Sequence, residues 1–213
     1  MCVVGFEPNP HHTAKLQELE AAYNQKGWRV KTFTETAIAL QDGTAEFYFD
    51  TVASPDHHEW GASMLAWQYD MAASKEAGDT NGKTTVRTID LAKYVLENVA
   101  SRQLPAGAST DKGTEGVLLK IDIEGSEHEL IPHLIITGAL CQIGAIFYEN
   151  HNWGHINIGN EKDTAFTAFF DGFARDYDSN SCPTTFLSVD NESFGSSDFP
   201  LPVFLRKLLR HRL

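Results

Sequence analysis

The chain has 213 residues, 42% hydrophobic and 22% charged, enough apolar material for one sizeable core. Its 17 Lys and Arg stand against 29 Asp and Glu, a net charge of −12, which argues against a nucleic-acid partner because phosphate neutralisation needs clustered bases. Cys2, Cys141 and Cys182 are widely separated and form no C-x-x-C pair, so neither a disulfide framework nor a cysteine zinc site is expected, and a reducing, cytoplasmic compartment fits best.

Cys2-Val3-Val4-Gly5-Phe6 is a continuous apolar run ending in Glu7, the pattern of a strand buried on both faces of a parallel sheet. It is too short, and too soon followed by an acid, for a signal peptide, and no apolar run in the chain reaches the roughly 18 to 20 residues of a membrane span. Asn9-Pro10 then caps a helix in which Leu16, Leu19 and Tyr23 recur at helical spacing, while Lys15, Gln17, Glu18 and Glu20 face water and Gly27 closes it. Val30 to Thr34 and Ala37 to Leu40 read as short strands, and the Asp42-Gly43 turn leads into another at Glu46 to Asp50. Residues 51–82 weaken into Pro, His, Gly and Asp around one apolar patch, Met64 to Trp67, and form a long excursion of a kind that often carries function.

Val86 to Leu91 reads as a strand entering a helix, Ala92 to Ala100, with Leu91, Val95, Leu96 and Val99 as its apolar stripe; Leu104 to Gly116 is a loop. Gly116 to Ile123 is the clearest buried strand, and after Gly125 a helix follows with Leu130, Ile131, Leu134 and Ile135 inward, ended by Gly138. Ile143 to Tyr148 supplies another buried strand, Asp163 to Asp176 a helix with a phenylalanine face, and Thr185 to Val189 a last strand. This alternation predicts a single domain over 1–213 built on one doubly wound, mostly parallel α/β sheet. The basic tail, 203–213, can form an amphipathic helix on anionic lipid, but docking of Leu205, Leu208 and Leu209 on the domain is the preferred reading.

Open parallel sheets bind ligands beyond the carboxyl ends of their strands, where helix N-termini and loop amides converge. Glu7 stands at such an end and can accept both hydroxyls of a nucleotide ribose, or simply favour the dipole of the following helix. Lys120-Ile121-Asp122-Ile123-Glu124-Gly125-Ser126-Glu127 crowds acids and a lysine at the end of a buried strand, and such a cluster is paired, ligand-bound or both. Alternation puts Lys120, Asp122 and Glu124 on one face if the strand runs that far, with Gly125 turning the backbone, Ser126 capping the helix and Glu127 in its first turn. The blander reading is a capped strand-to-helix junction holding one Lys–Asp pair. Asp122, Glu124, Glu149 and His151 all follow buried strands and are candidate general bases; His151 reads equally as a solvated loop residue. His151 and His155 lack a completing carboxylate, so no metal site is expected, and His11-His12 and His57-His58 read as surface pairs.

Lys120, Asp122, Glu124, Gly125 and Glu127 match, position by position, a lysine, an acid and then Glu-Gly-small-Glu at the end of a fourth strand. Phe6-Glu7-Pro8-Asn9-Pro10 matches a second block, an apolar strand ending in Phe-Glu-Pro-Asn-Pro. In these blocks the chain resembles the FkbM methyltransferase family, with weaker matches at Glu35-Thr36-Ala37-Ile38 and Val86 to Leu91, over most of residues 2–150. The resemblance implies a class I, Rossmann-like fold that uses S-adenosyl-L-methionine to methylate a small-molecule or glycan-like hydroxyl. It further implies ribose binding by Glu7, cofactor contacts at the adjoining Pro8 and Asn9, an approach to adenine at Glu35, Thr36 and Ala37, and a role for Asp122 at the cofactor. In the family a first strand and its glycine-rich turn precede the Glu-Pro-Asn-Pro strand and sit at the sheet centre. Here only Met1 precedes it, so an N-terminally truncated fold with two bare apolar edges is expected. Two other functions stay open: a non-catalytic remnant acting through partners, and an NAD-dependent oxidoreductase, which Glu7 would suit but which lacks its Gly-x-Gly-x-x-Gly turn.

Overall fold

The structure, a computed structural model, describes residues 2–49, 62–65, 82–102, 116–149, 182 and 184–188. The expected helix at 163–176, His57, His58, His151, His155, most of the 51–82 excursion and the basic tail lie outside the described residues.

Strand β1 (Cys2–Glu7) pairs in parallel with β2 (Arg29–Thr34), Val3 opposite Val30 and Glu7 opposite Thr34. Between them Asn9 caps a 3-10 turn at Pro10–His12, its side chain accepting the His11 N–H at 2.9 Å, and helix α1 (Thr13–Gln25) follows. Polar clamps hold α1 to β2. Glu20 accepts both the Thr32 N–H and the Thr32 hydroxyl at 2.6 Å, and Asn24 exchanges two bonds of 3.0 Å with the Val30 backbone. The Thr32 hydroxyl, then its amide, hold the Glu20 carboxyl below the usual carboxylate range. The expected inward stripe of α1 is corrected here: no residue of the helix is buried, and Leu19 and Tyr23 stay exposed, because these side-chain clamps make the contact.

Past β2 the backbone turns at Glu35, and β3 (Thr36–Ala39) joins a second ladder of order β3-β5-β4. Strand β5 (Lys83–Asp90) runs parallel to β3 and antiparallel to β4 (Gly43–Tyr48). A third, wholly parallel ladder has the order β6-β7-β8, from β6 (Leu118–Ile121), β7 (Ala145–Tyr148) and β8 (Thr185–Ser188). The fold is α/β with parallel ladders, but the described strands form three sheets where one was expected.

The split has a physical origin at β1 and β6. Both border one cleft, and among the described residues β1 pairs only with β2 and β6 only with β7. Among the described residues both strands are therefore edges, with Val3, Val4 and Leu118 at 40, 44 and 47% exposure.

The main core lies between the β6-β7-β8 ladder and the helices. Leu91 of helix α2 (Leu91–Tyr94) and Val95 of the π-helical turn that continues it (Val95–Ala100) meet Leu130, Ile131 and Leu134 of helix α3 (Glu127–Ile136), with Leu140, Ile121 and Ile146. Each is almost wholly buried, and burying a side chain of this size contributes about 1.5 to 3 kcal/mol. Leu96 lies off the stripe and is exposed. A second cluster, Ala37, Phe47, Phe49 and Val86, packs behind the β3-β5-β4 ladder, with Ala62 and Met64 against it.

The cysteine reading is also corrected. Cys141, in a 3-10 turn at Ala139–Gln142, and Cys182, just before β8, form a disulfide with their Cα atoms 4.6 Å apart across 41 residues of sequence. Parallel pairing of β7 with β8 brings the two together, an effect of tertiary structure that spacing does not display. A disulfide of this kind persists in oxidising surroundings, so the cysteines no longer argue for a reducing compartment. No helix among the described residues is long and apolar enough to cross a membrane.

Candidate active-site cleft

The cleft between β1 and β6 has a volume of about 650 Å³. One wall is the end of β1. There Glu7 accepts the Asn9 N–H through Oε1 at 2.8 Å, and the same oxygen lies 3.5 Å from His12 Nδ1. Its Oε2 accepts no hydrogen bond from the described residues and remains available to a ligand hydroxyl. Asn9 is 1% exposed, with its carboxamide oxygen taken up in capping the following turn.

The opposite wall is the turn after β6. The strand ends at Ile121, and Glu124 adopts a left-handed backbone with φ 54°, so the expected continuation of Lys120, Asp122 and Glu124 along one strand face is corrected. Lys120 and Asp122 do meet, as an ion pair of 2.7 Å. Ser126 stands at the N-cap of α3 but its hydroxyl makes no capping bond. Glu127, the first residue of the helix, instead fastens the turn that leads into it: its carboxylate, 1% exposed, accepts the N–H of Ile123 at 2.8 Å and of Gly125 at 2.9 Å. A buried carboxylate is tolerable there because two amides and the positive end of the helix dipole face it.

Among the residues expected at the site, Glu7, Pro8, Asn9, Ala37, Asp122 and Glu124 line this cleft together. Glu35 and Thr36 do not line it. The Glu35 carboxylate accepts the hydroxyl of Thr13 in α1 at 3.3 Å, and the Thr36 hydroxyl donates to Thr34 O within the turn at 2.9 Å. Glu149 follows β7 beside the end of β6, its N–H donating to Ile121 O at 3.0 Å, and is not a lining residue. Among the described residues no group of three or more His, Cys, Asp or Glu is arranged to hold a metal ion.

Three participants escaped the sequence. His12, read as half of a surface pair, lines the cleft beside Glu7; its only signal was its position directly after the Glu-Pro-Asn-Pro block. Glu127 was placed in the first turn of the helix but not as the acceptor that holds the turn before it. Ser63, inside the excursion, is 1% exposed and donates to Glu124 O at 2.8 Å, a contact across 61 residues that no local pattern announces.

Residues 2–177 match the model of the methyltransferase FkbM domain. The chain belongs to the FkbM methyltransferase family. The match spans both blocks that carry the resemblance, Phe6 to Pro10 and Lys120 to Glu127, which form the two walls of the cleft. No curated protein and no solved structure matches the chain.

Proposed function

We propose that the chain binds S-adenosyl-L-methionine in the cleft and methylates a hydroxyl of a small-molecule or glycan-like acceptor. One observation carries the proposal: Glu7 and the Asp122–Glu124 turn, distant in sequence, line the same cavity of about 650 Å³, a volume in the range of small-ligand sites.

The residues fit that ligand. The open Oε2 of Glu7 suits a ribose hydroxyl, as acids at strand ends do in nucleotide-binding α/β folds. Ala37, Ile38, Phe47 and Met64 give an apolar wall suited to an adenine ring. Glu7, Asp122 and Glu124 face a single lysine, Lys120, among the lining residues, a balance that favours a cationic ligand and disfavours nucleic acid. The bound sulfonium supplies an electrophilic methyl group, leaving the protein to orient the acceptor in line and receive its proton. Asp122 and Glu124 line the cleft and are the nearest candidates for that base, ahead of Glu149 and His151.

The doubly wound sheet belongs to this reading: one further parallel strand along the cleft would join the β1 and β6 edges into a continuous ladder. Those same bare edges favour a second reading, a binding module without turnover.

Isothermal titration of the chain with S-adenosylmethionine and S-adenosylhomocysteine separates the two. The methyltransferase reading expects micromolar binding of both, weakened at least about tenfold by Glu7→Ala, the size of a lost hydrogen bond to a charged group. Absence of binding to either nucleoside rejects it.

A further inference from the structure

We infer that Ser63 is a positioning residue for the cleft, locking the peptide plane between Glu124 and Gly125. The inference rests on the reading of the cleft as a cofactor site and adds a part of the chain to it, the segment Ala62–Leu65.

The Glu124–Gly125 peptide is held by both its polar atoms. Ser63 Oγ donates to the Glu124 carbonyl at 2.8 Å, and the Gly125 N–H donates to Glu127 Oε2 at 2.9 Å. Rotation of this plane would break both bonds at once. The locked conformation is an unfavourable one at Glu124, φ 54°, though an ordinary one for Gly125 at φ 99°, and such backbone in a residue with a side chain persists only where its surroundings over-determine it. The Ser63 hydroxyl is itself fixed, since it also accepts the Leu65 N–H at 3.0 Å, and Ser63 is 1% exposed, so no water replaces it freely.

Ser63 is in turn anchored from behind. Its N–H and C=O exchange bonds of 3.0 and 2.8 Å with Tyr48 at the end of β4. A Cβ added at Gly125 would lie 3.1 Å from Leu65 Cδ1, so the Leu65 side chain packs close beside the turn. Ala62 and Met64, on either side of Ser63, line the cleft. One short segment thus supplies part of the cavity wall and sets the orientation of the opposite, acidic turn.

The test compares Ser63→Ala with Ser63→Thr, which keeps the hydroxyl, in the full chain. Three quantities are read: the Gly125 amide resonance, affinity for S-adenosylmethionine and the melting temperature. Ser63→Ala is expected to shift the Gly125 resonance and weaken binding roughly tenfold, as loss of a buried hydrogen bond implies, while Ser63→Thr restores both to within about twofold. A Ser63→Ala protein with the wild-type resonance and affinity overturns the inference. Should Ser63→Ala not fold, Ser63→Val against Ser63→Thr, equal in shape, makes the same comparison. If the wild type binds no S-adenosylmethionine, the cofactor reading fails, and the Gly125 resonance alone decides the role of Ser63: moved supports it, unmoved rejects it.

Discussion

Glu35 and Glu124 are the two non-glycine residues with left-handed backbone among the described residues, and each turns the chain just beyond the carboxyl end of a parallel strand. A side chain in that region costs roughly 1 kcal/mol or more that glycine avoids. Glu124 stands at the rim of the cleft, and strain of this kind is what functional sites retain.

This sets an expectation at Glu124. Glu124→Gly should be more stable than Glu124→Ala by about 1 kcal/mol, the reverse of the usual order of the two residues in regular structure. Chemical denaturation of the two variants measures the difference. An alanine variant as stable as the glycine variant would show that the backbone at 124 relaxes freely.

Glu127 should matter to folding more than to ligand binding. Glu127→Ala leaves the Ile123 and Gly125 amides unsatisfied in a buried turn, a loss of about 1 to 3 kcal/mol. Glu127→Gln keeps an acceptor and should recover part of it. A denaturant midpoint for Glu127→Ala equal to wild type would refute the role of Glu127 in holding the turn.

The disulfide makes a countable prediction. Unfolded without reductant, the chain should show one reactive thiol, the exposed Cys2, and after reduction all 3 cysteines. Reduction, or a Cys141→Ala and Cys182→Ala pair, should lower stability by about 2 to 4 kcal/mol, as expected for a cross-link closing a loop of 41 residues. Three thiols before reduction would remove the cross-link and restore the reducing-compartment reading.

A surface clip gives a pH signature. Lys93 Nζ lies 2.6 Å from Asp42 Oδ2, and the Asp90 N–H donates to Asp42 Oδ1 at 3.0 Å. The hydrogen-bonded Lys93 ammonium, followed by the Asp90 amide, holds the Asp42 carboxyl below its ordinary 3.8, and Asp42 raises Lys93 above its ordinary 10.5. The contribution of Asp42 is thus complete above pH 3.8 and fades as pH falls through the lowered folded value; that of Lys93 is complete below pH 10.5 and fades above it. An NMR titration should place the Asp42 midpoint below 3.8 and return it upward in Lys93→Met. An unmoved midpoint in that variant would assign the shift to the backbone alone.

Local pattern carried the sequence reading where one residue's neighbours decide its fate. The Asn9-Pro10 start, the Gly138 stop and the Leu130, Ile131 and Leu134 face of α3 follow from capping chemistry and helical period, and the structure has all of them. Strand positions came out within a few residues. What the sequence hid depends on distant partners: whether Cys141 finds Cys182, and which carbonyl Ser63 reaches. At the site, the acids were visible because charge at the end of an apolar run is unusual. That Glu35 bonds Thr13 of α1 and Thr36 bonds Thr34 O rather than lining the cleft was invisible, since the kink between β2 and β3 is a backbone event.

The two rims of the β1–β2 ribbon are treated differently by the chain. Glu20 and Asn24 cover the outer side of β2, whereas the cleft side of β1 has no such cover among the described residues. Deuterium uptake should therefore run opposite to the habit of parallel sheets, with cleft-facing amides of β1 and β6 labelling early and Val30 and Thr32 labelling late. A ligand that fills the cleft would slow the fast set and leave the slow one untouched, giving a map of occupancy that requires no knowledge of the methyl acceptor.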